Sequence, residues 1–134
     1  MTDQCCTTDS QVMILACSGG SNVGQLANRA AVELTRENRG KMFCLAGIGG
    51  GLSGFIQSAK DVQSMVLIDG CEVACGKKTL EREGVPVQDY LVITDLGIAK
   101  NKDFALRAED ISLVKQEVCR ICGMEQAELS VEGS

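Results

Sequence analysis

Cys71 and Cys75 stand four residues apart, directly after the apolar run Met65 to Ile68 and the pair Asp69-Gly70. The run reads as a buried strand, and the pattern that follows it to Gly84 reads as a helix. If that helix starts near Cys71, thiols at i and i+4 share one face. Amides at a helix start carry partial positive charge, which favours thiolate over thiol. A thiolate pair at the carboxyl end of a strand points to metal or redox chemistry and names no substrate.

The chain has eight cysteines and no histidine in 134 residues. In a reducing compartment such thiols are ligands, reactive groups or small buried side chains sooner than disulfides. A zinc ion here must use cysteine, carboxylate or water, and histidine-based acid–base catalysis is excluded. Cys17 follows the apolar run Val12 to Ala16, and Cys44 lies in a second predicted strand, Lys41 to Ala46. Cys119-Arg120-Ile121-Cys122 has redox-pair spacing, but it sits at a helix end, where the dipole opposes thiolate. Buried positions on that helix explain the pair as well. A second metal site joining it to Cys5 and Cys6 is a further reading.

The elements that must position these groups alternate. After the first strand, Cys17 to Asn22 is a turn in which Ser21 or Asn22 can cap a helix carrying Val23, Leu26, Ala27, Ala30, Ala31 and Leu34 at helical spacing. Asn38 to Gly40 ends that helix. Gly47 to Gly54 reads as a glycine-rich loop before a short helix, Phe55 to Val62. Tyr90 to Thr94 is a fourth strand with Asp95 at its end, and residues 98–108 fit no period. Glu109 to Cys122 is the last helix. Alternation at this spacing predicts one α/β domain with a mainly parallel sheet between two helical layers, Rossmann- or flavodoxin-like. The domain spans 11–123, between a flexible extension at 1–10 and a loose tail at 124–134.

In such sheets ligands bind outside the carboxyl ends of the strands. Two small-residue loops fall there. Ser18, Gly19, Gly20, Ser21 and Asn22 open a helix whose amides could hold a phosphate or carboxylate. Gly49, Gly50 and Gly51 begin a literal G-x-G-x-x-G, and Asp69 lies twenty residues after Gly49, as in a dinucleotide fingerprint. Asp95 is a further acid at the same predicted rim. A plain turn with close-packed glycines is the bland account of both loops.

Composition narrows the partners. Thirteen Lys and Arg against 18 Asp and Glu, with 3% aromatics, argue against nucleic acid and anionic membrane. No apolar run approaches the roughly 20 residues of a membrane span, and Met1 to Ser10 lacks a signal-peptide apolar region. The expected location is the cytoplasm.

Taken in order, Cys17-Ser18-Gly19-Gly20-Ser21-Asn22-Val23-Gly24-Gln25, Lys41 to Gly47 around Cys44, Ile68-Asp69-Gly70-Cys71 with Cys75 and Lys77-Lys78-Thr79-Leu80, and Thr94-Asp95-Leu96-Gly97 resemble the DGC-domain family, named for its Asp-Gly-Cys motif. The resemblance runs from about Val12 to Lys102. It implies zinc bound through Cys17, Cys44, Cys71 and Cys75, and implies no reaction. Two classes stay open: a zinc-binding protein, or a metal-dependent or thiol-based enzyme acting on a small anionic substrate. A nucleotide-binding domain is the remaining alternative.

Overall fold

The structure, a computed structural model, describes residues 11–124. Cys5, Cys6 and almost all of the predicted tail therefore lie outside the described residues. Four parallel strands run β1 (Val12–Ala16), β2 (Gly40–Met42), β3 (Met65–Asp69) and β4 (Asp89–Val92), in the spatial order β2-β1-β3-β4. Among the described residues five α-helices surround them: α1 (Asn22–Arg36), α2 (Leu45–Gly49), α3 (Ser53–Asp61), α4 (Cys75–Arg82) and α5 (Ala108–Cys122). A 3-10 turn, Ile93–Leu96, follows β4 directly.

The strand period of two divides the core. Val12, Ile14, Val66 and Ile68 join α1 and α5 in one apolar cluster. Met13, Leu15, Met65 and Leu67 join Ile48, Ala59 and Leu80 from α2, α3 and α4 in the other. The central strands are buried on both faces, which is why their sequences are continuous apolar runs. The result is a single α/β domain of three layers, as the alternation predicts.

Several boundaries differ from the sequence reading; the fourth strand, expected over Tyr90 to Thr94, ends at Val92, where the 3-10 turn begins. The second strand stops at Met42, because Cys44 caps α2 and the chain turns helical. The predicted loop at Gly47 to Gly54 is instead two short helices joined by a turn. Its amides are used internally: Gly50 donates to Ala46 O, Gly51 to Ile48 O and Leu52 to Gly47 O. Gly47 is there for packing, since an added Cβ would sit 2.5 Å from the Phe55 ring. The helix expected from Cys71 begins at Cys75, after a turn closed by the Ala74 amide on Cys71 O. Cys71 and Cys75 are therefore not two positions on one helical face.

Two glycines let the layers meet. A Cβ on Gly24 would lie 2.5 Å from Gly19 O, and one on Gly70 would lie 2.8 Å from Gly24 N. The start of α1 thus rests directly on the ends of β1 and β3. Gly24→Ala and Gly70→Ala should each lower the melting temperature by roughly 5 °C or more, the cost of forced overpacking. Gly54→Ala, where nothing lies within 4 Å of the added methyl, should leave it unchanged or higher. Equal melting temperatures for all three, by calorimetry, would contradict this packing.

Candidate functional site at the switch point of the sheet

Strand order reverses at β1, which has β2 on one side and β3 on the other. The crevice outside their carboxyl ends is where ligands bind in open α/β sheets. Cys17 leaves β1 there, and Gly70 and Cys71 leave β3. The Gly70 amide donates to Cys17 Sγ at 3.3 Å, and the Gly19 amide hydrogen-bonds the same sulfur. Burial pushes the Cys17 thiol above its ordinary value. The two amides oppose that rise, and the negative charges of Asp69 and Cys75 add to it.

Cys44, Cys71 and Cys75 share cavity walls with Cys17. Cys44 is exposed, at the cap of α2, and accepts from the Gly47 amide at 3.3 Å. Cys75 is exposed at the first residue of α4. Cys71 is half-buried and accepts from Lys100 Nζ at 3.4 Å. Two cavities flank the group. The larger, about 710 Å³, includes Cys17, Cys44 and Cys75 in its wall. The smaller, about 240 Å³, includes Cys17, Cys71 and Cys75. Among the described residues no three Cys, Asp or Glu side chains stand together in an arrangement that could hold a metal ion. The donor set suits zinc by its chemistry, but a closed tetrahedral centre is not preformed.

Among the described residues, two of the three non-glycine residues with left-handed backbone adjoin these cysteines: Ser18 (φ 54°) follows Cys17, and Ala74 (φ 59°) precedes Cys75. Such strain persists where surrounding structure demands it and clusters at functional sites.

The residues expected to hold an anion are mostly occupied. Ser21 Oγ caps α1 by accepting from Gly24 N. Asn22 is buried and clamps the loop after β4: its Nδ2 donates to Ala99 O at 2.8 Å, and its Oδ1 accepts from Asn101 N at 2.6 Å. Asp69 is 1% exposed and accepts from Gly76 N, Lys77 N and Tyr90 Oη. Gly19 and Gly20 line the smaller cavity and Ser18 and Gly49 the larger, while Gly50, Gly51 and Asp95 line neither. Cys119 and Cys122 pack into the α1–α5 cluster, away from the rim.

The sequence reading missed Tyr90 as Asp69's partner, and missed Lys100 and Lys102, both on the wall of the smaller cavity. The signal for the lysines was a pair spaced by one residue, in a segment after the last strand that fits no period.

The model of the DGC domain family matches residues 13–118. The chain belongs to the DGC domain family. The "Anaerobic and virulence modulator AnvM" of Pseudomonas aeruginosa is 33% identical to this DGC domain protein over 113 residues, covering 84% of this chain and 86% of that relative. No solved structure matches the chain. Among the described residues no helix is long and apolar enough to cross a membrane.

Two outcomes check this DGC site. Ala74→Gly should stabilise the fold by about 0.5–1 kcal/mol in denaturant unfolding, because relief of a left-handed residue exceeds the entropy cost of glycine. A destabilised variant would remove the claim of strain. In a brief alkylation pulse near neutral pH, read by peptide mass spectrometry, Cys44 and Cys75 should label first and Cys119 and Cys122 last. Burial and the Asp89 carboxylate push Cys122 up to about 12 from an ordinary value of 9.0. The folded chain then keeps a proton that the unfolded chain loses. Its contribution to stability is complete below pH 9 and is lost as pH rises toward 12, and Cys122→Ala should flatten that alkaline decline. Fast labelling of Cys122 would overturn the assignment.

Proposed function

We propose that this DGC domain is a zinc-binding protein whose metal is held by cysteine thiolates at the switch point of the sheet. The observation that carries the reading is the hydrogen bonding of the sulfurs. Cys17 accepts from the Gly19 and Gly70 amides and Cys44 from the Gly47 amide. Donors aimed at ligand atoms orient those atoms and spread the negative charge that thiolates bring. Cys17 is the anchored member, on the end of a buried strand. Cys44, held by the Gly47 amide, and Cys75, exposed at the start of α4, would be its partners at a bound ion. Cys71 completes the set. When bound, zinc would supply a folding clamp or, with one position open, a Lewis acid.

A second reading has its own support. The Lys100 ammonium already sits at Cys71 Sγ, where a divalent cation would meet like charge. A thiol-exchange role uses the same residues without a metal. The Cys71 thiolate attacks a disulfide of another molecule and releases one thiol. Cys75 or Cys17 then displaces the second thiol and closes an intramolecular disulfide.

Anaerobic purification with elemental analysis separates the two. The zinc reading expects about one zinc per chain, less in Cys75→Ser, and a lower melting temperature after chelation, because metal binding free energy adds to folding free energy. A chain that carries no zinc and takes none up loses this reading. Cleavage of a small disulfide by that metal-free chain would then support the second.

A further inference from the structure

The two cavities beside the thiols are built differently. Met42, Phe43, Leu45 and Ala46 give the larger one an apolar wall, and Asn28 and Thr79 add polar points. Phe43 is held in place by Phe55, with ring centroids 5.5 Å apart. The smaller cavity has Lys100 and Lys102 on its wall, with Gly19 and Gly20, where an added Cβ would meet nothing within 4 Å.

Two ammonium groups stand at the smaller cavity. Lys100 Nζ donates to a thiol, and Lys102 Nζ donates to Gly20 O at 2.6 Å. Among the described residues neither ammonium pairs with a carboxylate, although the chain carries a formal charge of −5. Asp69 also lines this cavity, but its oxygens accept from two amides and a phenol. Cys17 and Cys75 belong to both walls, so the chambers adjoin across the thiols.

We propose that the two chambers together take one small amphipathic anion. Its apolar body lies against Phe43 and Leu45, and its anionic end meets Lys100 and Lys102. Cys17 and Cys75 stand between the two parts. The larger chamber, about 710 Å³, falls within the range of small-molecule sites, roughly 300–1,000 Å³ for a whole site, and the smaller extends it by about 240 Å³. Apolar lining with a few convergent polar groups is the usual make-up of such sites. The inference goes beyond the metal reading and rests on the cavities, not on zinc.

The test uses the full chain, purified anaerobically, with zinc content measured in every sample. The probe is anilinonaphthalene sulfonate, an aromatic body bearing one anionic group; neutral Nile red and inorganic phosphate are the comparison probes. Saturable binding of the sulfonate at one site per chain is expected, with slower alkylation of Cys75 in its presence. Ala46→Trp, which fills the larger chamber from an exposed helix position, should abolish binding. Lys102→Gln should raise the Kd for the sulfonate about tenfold, the loss of a charge-assisted contact, and leave Nile red unchanged. The proposal is overturned if the sulfonate fails to saturate, if Cys75 alkylation is unaffected, or if Lys102→Gln leaves its Kd unchanged. Binding of inorganic phosphate as tight as that of the sulfonate would also overturn it, because the apolar chamber would then contribute nothing. Saturable probe binding by a chain that carries no zinc and takes none up leaves this proposal standing where the metal reading has failed.

Discussion

A buried carboxylate ties the site together. Asp69 ends the central strand β3 at 1% exposure, where an unpaired charge would cost several kcal/mol. Three donors prevent that: the Gly76 and Lys77 amides at the start of α4 and the Tyr90 hydroxyl from β4. One side chain therefore fixes where α4 begins, and with it the position of Cys75. Gly76 carries no side chain because a Cβ there would lie 2.7 Å from Asp69 Oδ1. Burial and the hydrogen bond to Asp69 hold the Tyr90 phenol far above its usual range, so it stays a donor.

The next residue acts on the other layer. Gly70 admits the backbone of α1 to the end of β3, and its own amide reaches Cys17 across the crevice. Asp69 and Gly70 thus serve opposite faces of the sheet, as the strand period requires. Cys71 follows as the first residue free of both tasks and faces the lysines. The three letters of the motif divide into a helix cap, a close approach and a thiol.

Strain and anchoring act as a pair around the site. The left-handed residues Ser18 and Ala74 are maintained by the packing of α1 and by the Asp69 cap, which over-determine the turns on either side. Asn22 extends the same scaffold outward, since its three hydrogen bonds to the 99–101 backbone hold the lysine-bearing loop over the crevice. Rigid layers below and anchored loops above leave Cys75, exposed at the first residue of α4, as the adjustable member.

Much of this was legible in the sequence, for identifiable reasons. Continuous apolar runs at Val12 to Ala16 and Met65 to Ile68 can only be strands covered on both faces, and the helical spacing from Val23 to Leu34 specifies α1. Turn signals at strand ends then placed Cys17 and Cys71 on one rim. Local patterns could not decide who meets whom. The glycines at 47–51 look like a phosphate loop, but the Phe55 ring packs on Gly47 and the backbone amides close on one another. Asp69 looks like a ligand contact until Tyr90, twenty-one residues later, is seen to take one of its oxygens. Lys100 and Lys102 have no period to announce them, and they reach Cys71 and Gly20 because Asn22, far away in the chain, binds the backbone of Ala99 and Asn101 beside them. Periodicity records what each segment must bury, and so the sequence determined the layers and the rim. Pairing between distant polar groups leaves no period, so tertiary structure alone decided which rim residues are spent on the fold and which face the cavity.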